Sequence, residues 1–117
     1  MKLRFVIAIA AAAVLGFAAT AGAQDKALIE KGAKVYAAAT PKCSVCHSIA
    51  GVGKATAKLD GVGSKLTADD IRQWMTDPKA AAAKHKSTAK PPMPTAYAKM
   101  SKEDLDALVA YLSSLKK

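Results

Sequence analysis

The chain has 117 residues, with 18 lysines and arginines against 9 acids for a net charge of +9, and 51% of it is hydrophobic. One tryptophan, three tyrosines and two phenylalanines are a thin aromatic supply, so a domain this small leans on a cofactor, a metal or disulfides as well as its own core. Multidomain enzymes, coiled coils and repeat arrays are excluded, since the length allows one small domain and no self-similar period is present.

Residues 1–23 read as a secretory signal peptide. Lys2 and Arg4 open it, an apolar run follows over 5–19, and Ala21, Gly22 and Ala23 place small residues at the cleavage position. The run is about 15 residues, short of the roughly 20 that span a bilayer, and no later stretch approaches it, so no integral membrane span is expected. Residues 24–117 are then a single exported domain, expected in the periplasm. In the first predicted helix, Leu28, Ile29, Gly32, Val35 and Tyr36 form one apolar stripe that Thr40-Pro41 breaks.

Next comes Cys43-Ser44-Val45-Cys46-His47, which holds the only two cysteines. Its spacing is the attachment pattern of a c-type haem. Two intervening residues on a helical turn bring both sulfurs to adjacent vinyl groups at one porphyrin edge, where each forms a thioether. The histidine that follows is carried beneath the iron. A Cys43–Cys46 disulfide is the main competitor in an oxidising compartment, but it leaves His47 idle and lacks the α/β context of a redox pair. Zinc wants four ligands, and only His85 remains to join the motif.

A glycine-rich stretch over 49–65 contains Gly51, Gly53, Gly61 and Gly63. The second helix starts at Thr67 with Asp70 in a capping-box arrangement, turns Ile71, Trp74 and Met75 inward, and stops at Asp77-Pro78. An alanine run beyond Pro78 suggests one or two further helical turns. Pro91-Pro92-Met93-Pro94 then forms an extended, stiff strap. The third helix is capped by Ser101 with Asp104 completing the box, and Leu105, Leu108, Val109, Leu112 and Leu115 make its stripe, with Lys116 and Lys117 at its negative end. No strand alternation is evident, so the domain is expected to be all-α with long connections, and connections of this length usually serve a functional purpose.

Haem iron has a second axial position, and its occupant separates a carrier from a catalyst. Met93 is the leading candidate, because its prolines hold a thioether in place at little entropic cost. Met75 sits on the core stripe of its helix, Met100 precedes a helix cap where a staple contact is the simpler role, and His85, between Lys84 and Lys86, reads as a solvated side chain.

Charge is unevenly spread. Residues 31–59 and 78–102 contain no acid and many lysines. Solubility accounts for part of this, and a basic face for acidic redox partners for the rest. A single arginine outside the leader, Arg72, and the export signal argue against nucleic acid.

With these residues in view, the chain resembles the class I c-type cytochromes from about Lys26 to Leu115. Gly32 and Tyr36, with Leu108 and Tyr111, match the family's crossing of first and last helices, and Gly61 and Gly63 match its haem-side loop. The resemblance implies a cytochrome c-like fold, with three main helices and short turns wrapped around one covalent haem c. It implies Cys43 and Cys46 as attachment points, His47 and Met93 as axial ligands, and Trp74 packing near the haem. Ala57 stands where many members have a proline two residues before the loop leucine, here Leu59, and its carbonyl can still accept the imidazole N–H. The expected function is a soluble, monomeric one-electron carrier rather than an enzyme. The alternatives are a haem subunit of a larger periplasmic oxidoreductase complex and, further off, a peroxidase-like or gas-binding haem protein.

Overall fold

A computed structural model describes the backbone of residues 17–117 and the side chains from Asp25 onward. The predicted signal peptide lies outside these residues except for 17–23, which begin the first helix.

Five α-helices are found among the described residues, against the three main ones expected. The three longest match that expectation: α1 (Phe17–Ala38), α3 (Ala68–Thr76) and α5 (Lys102–Ser114). Two short ones join them, α2 (Val62–Lys65) and α4 (Pro78–Lys84), with 3-10 turns at Cys43–Val45 and Thr95–Lys99.

α1 and α5 form the main packing contact of the domain. A Cβ at Gly32 would overlap the carbonyl of Ala107 and lie 2.6 Å from Tyr111 Cβ, so only glycine allows the two backbones this close. One turn on, Tyr36 meets Tyr111 edge to face, centroids 5.9 Å apart. Leu108 is fully buried at the crossing, with Leu105, Val109 and Leu112 buried along the same face.

Capping explains the helix starts. At α3 the box is complete: Thr67 Oγ1 accepts from Asp70 N–H at 3.1 Å and Asp70 Oδ2 accepts from Thr67 N–H at 3.2 Å. At α5 only the Ser101 half forms, accepting from Asp104 N–H at 3.2 Å. The Asp104 carboxylate turns instead to Lys31 of α1, 3.4 Å away, which ties the two crossing helices at the surface. Asp77 ends α3 and starts α4, accepting from Ala80 N–H at 3.0 Å with Pro78 in the first helical position. Lys116 does not serve its own helix end; its ammonium donates to Gly63 O at 2.7 Å and pins α2 to α5.

The all-α expectation needs one correction. A three-stranded sheet in the order β2-β1-β3 follows the cysteine motif, with β1 (His47–Ile49) antiparallel to β2 (Val52–Gly53) and parallel to β3 (Ala57–Lys58). Strands of two or three residues show no alternation to read, and what makes the turn is Gly51, at φ 80°.

Candidate functional site

The 3-10 turn Cys43–Val45 starts the site. Val45 N–H donates to Lys42 O and Cys46 N–H to Cys43 O, each at 3.2 Å, which places the two cysteines on successive sides of one turn. Both thiols are free. Cys43 is buried within the hydrophobic core, and Cys46 is half-buried. Burial pushes the Cys43 thiol up, partly offset by a hydrogen bond from its own backbone.

His47 follows as the first residue of β1. Its Nδ1 lies 2.8 Å from Ala57 O. A carbonyl only accepts, so this contact assigns the proton to Nδ1 and leaves the Nε2 lone pair for a metal. The sheet holds Ala57 in position: His47 pairs with Ala57 in parallel register, Ala57 N–H donates to Cys46 O at 3.0 Å, and Leu59 N–H to Ser48 O at 2.9 Å. A proline at 57 would keep the carbonyl but lose the bond to Cys46. The ladder here supplies the rigidity that a proline ring gives elsewhere. Two free thiols on one turn and an imidazole presenting Nε2 fit a covalently attached haem. Among the described residues no cluster of three or more His, Cys, Asp or Glu side chains could hold a metal alone, so the zinc reading lacks its ligands.

The remaining candidates surround the same core. Met93 is half-buried and packs on the cluster that contains Cys43, as do Trp74 and Met100. Pro94, next to Met93, is extended at φ −69° and ψ 154° and leads into the 3-10 turn Thr95–Lys99. Met75 is 7% exposed in the core, on the inner face of α3.

His85 departs from expectation. It is not solvated: its ring stacks on Trp74 with centroids 6.1 Å apart, and Nε2 is buried 3.4 Å from Asp70 Oδ1 without a hydrogen-bond partner. The cause is Lys84, whose ammonium reaches the same Asp70 oxygen at 2.5 Å and draws the end of α4 across the first turn of α3. The hydrogen bond from Lys84, then those from the Thr67 hydroxyl and backbone, hold the Asp70 carboxyl well below the usual carboxylate range.

Two tyrosines lie beside Cys43: Tyr36, expected only at the helix crossing, and Tyr97, which the sequence reading missed. Tyr97 donates its hydroxyl to Pro41 O at 2.6 Å, closing the loop before the cysteines onto the segment after Met93. Tyr36 has a buried hydroxyl without a partner. Burial first, and the neighbouring Cys43 next, push both phenols up to about 12. Tyr97 was recoverable only as the aromatic residue that ends the proline strap, because its partner lies 56 residues away.

The basic face is less uniform than the sequence suggests. Lys31, Lys84 and Lys102 are each engaged with acids, whereas Lys42, Lys54 and Lys58 make no ion pair among the described residues. No described helix is long and apolar enough to cross a membrane.

The family model for cytochrome c matches residues 29–116, covering the cysteine motif, the mini-sheet, the methionine strap and α5. No curated protein and no solved structure matches the chain.

Proposed function

The chain belongs to the cytochrome c family, which supports a haem c electron carrier, and from that footing we propose a periplasmic one-electron carrier with His47 and Met93 as axial ligands. Cys43 and Cys46 would tether the ring by two thioethers. Bound there, haem c supplies an Fe(III)/Fe(II) couple.

The remaining work falls to the chain. Ala57 O fixes the His47 tautomer and ring orientation. The Pro91–Pro94 strap holds the Met93 thioether in place, and a thioether favours the reduced metal relative to a second imidazole. With the same two side chains holding the metal in either oxidation state, little of the chain would have to move on transfer. Trp74 and the buried face of α5, which belong to one hydrophobic cluster with its border, would help keep water from the ring. The covalent link prevents loss of the cofactor after export, the setting that the predicted signal peptide implies.

The observation that carries the reading is the 2.8 Å contact from His47 Nδ1 to Ala57 O beside two unpaired thiols on one turn. Optical spectra of oxidised and reduced holoprotein, repeated for Met93→Ala, test the ligand set. Loss of the far-red sulfur-to-iron band in the variant is expected. Its persistence would move the ligand to Met75 or Met100.

A further inference from the structure

His85 is a titratable side chain that the electron-carrier reading leaves unused, and its surroundings are specific. The ring stacks on Trp74 with the two planes 22° apart, and Nε2 is buried without a hydrogen-bond partner, 3.4 Å from Asp70 Oδ1. Both Asp70 oxygens are already in use, Oδ1 by the Lys84 ammonium at 2.5 Å and Oδ2 by the Thr67 N–H at 3.2 Å. A neutral imidazole therefore leaves a buried nitrogen unsatisfied. A protonated one donates from Nε2 to Asp70 and lays a cation over the Trp74 ring. His85 also caps the C-terminal end of α4, where the last carbonyls favour positive charge.

Other charges on α3 and α4 are engaged or exposed. Arg72 is paired with Asp106 of α5 at 2.7 Å, Asp77 accepts from Ala80 N–H at 3.0 Å, and Asp69, Lys79 and the adjacent Lys86 are exposed. The group that faces His85 is thus Asp70 and Lys84, which is balanced while His85 is neutral and gains one positive charge when it is protonated. Trp74 links this corner to the site: it borders the cluster that contains Cys43, as Met93 does.

We propose that His85 is a proton-linked positioning residue for electron transfer, and that its imidazolium, acting through the Trp74 it stacks on, raises the electron affinity of the site. The inference rests on the electron-carrier reading. A cation beside the site favours the state that holds the extra electron, and the coupling is reciprocal. Uptake of one electron from a redox partner therefore draws a fraction of a proton from water onto His85 Nε2, and loss of the electron returns it. The potential is highest in acid, where His85 is charged. It falls to a lower plateau as pH rises through the imidazole range of about 5–8.

The test is an equilibrium redox titration of holoprotein from about pH 5 to 9, with two variants of opposite charge. His85→Gln removes the charge at every pH and should hold the low plateau throughout. His85→Lys keeps the charge and should hold the high one, with about a threefold difference in the electron-exchange equilibrium constant between the two. Wild type should cross from the high plateau to the low one, and should take up more protons on reduction than His85→Gln near neutral pH, read with an indicator dye. The far-red sulfur-to-iron band should be the same in all three. A side chain that only packs would move both variants in the same direction. That result, or a wild-type pH profile in His85→Gln, would overturn the inference. Holoprotein with no reversible one-electron step at any pH would contradict the carrier reading itself.

Discussion

Two tyrosines show how differently the same side chain can be used a few residues from the motif. The Tyr97 hydroxyl is bonded to Pro41 O at 2.6 Å, whereas the Tyr36 hydroxyl is buried with no partner among the described residues. A buried polar group costs free energy when it is left unpaired and contributes when it is paired. Tyr97→Phe is therefore expected to lower holoprotein stability by about 1 kcal/mol, and Tyr36→Phe to raise it by about 1 kcal/mol. Urea titration of both variants checks the opposite signs, and a loss of stability in Tyr36→Phe would show that its hydroxyl has a partner in the holoprotein. At this scale the sequence was most informative where chemistry is local. Cys43, Cys46 and His47 announce themselves by spacing alone. The role of Ala57 was implied by the family resemblance, but the sheet that holds it could not be seen in strands this short. His85 was misread because its flanking lysines look solvated, while Lys84 is drawn to Asp70 by a contact between elements.

Among the elements, the α1–α5 crossing and the α3–α4 corner are the most sharply determined. The crossing depends on Gly32, where any side chain meets the Ala107 carbonyl, a backbone atom that cannot swing aside. Gly32→Ala should destabilise the fold by about 1–3 kcal/mol by thermal unfolding, despite alanine's better helix propensity. Unchanged stability would mean that the helices are free to separate. At the α3–α4 corner, Asp70 completes the capping box and receives Lys84. Its folded-state carboxyl is depressed, so its contribution is fully present above the unfolded value of about 3.9 and is lost as pH falls through the lower folded value. Acid unfolding should therefore steepen below about pH 4, and Asp70→Asn should be less stable at neutral pH with a shallower acid limb. An acid limb identical to wild type would remove Asp70 from the account. α3 and α5 were legible because caps and apolar stripes coincide in them. α2 was not, being a single turn with Gly61 at its start and Gly63 within it, held to the end of α5 by Gly63 N–H to Leu115 O at 2.9 Å, Lys117 N–H to Ser64 Oγ at 3.1 Å and the reach of Lys116.

For the molecule as a whole, a small core and a covalent cofactor belong together. The buried cluster is built from α3 and α5 with Ala39 and Tyr97, yet Cys43 is part of it and Trp74, Met93 and Met100 border it, so the cysteine motif and the methionine strap meet at the margin of the core. A chain with so few aromatics gains much of its stability from what binds there. The central claim is thus that one haem is bonded to Cys43 and Cys46, and intact mass spectrometry after acid–acetone extraction addresses it most directly. Protein exported from a host competent for cytochrome maturation should carry the mass of the chain from Gln24 plus one haem, and Cys43→Ala/Cys46→Ala should lose that increment. A colourless product with the mass of the bare polypeptide would contradict the account.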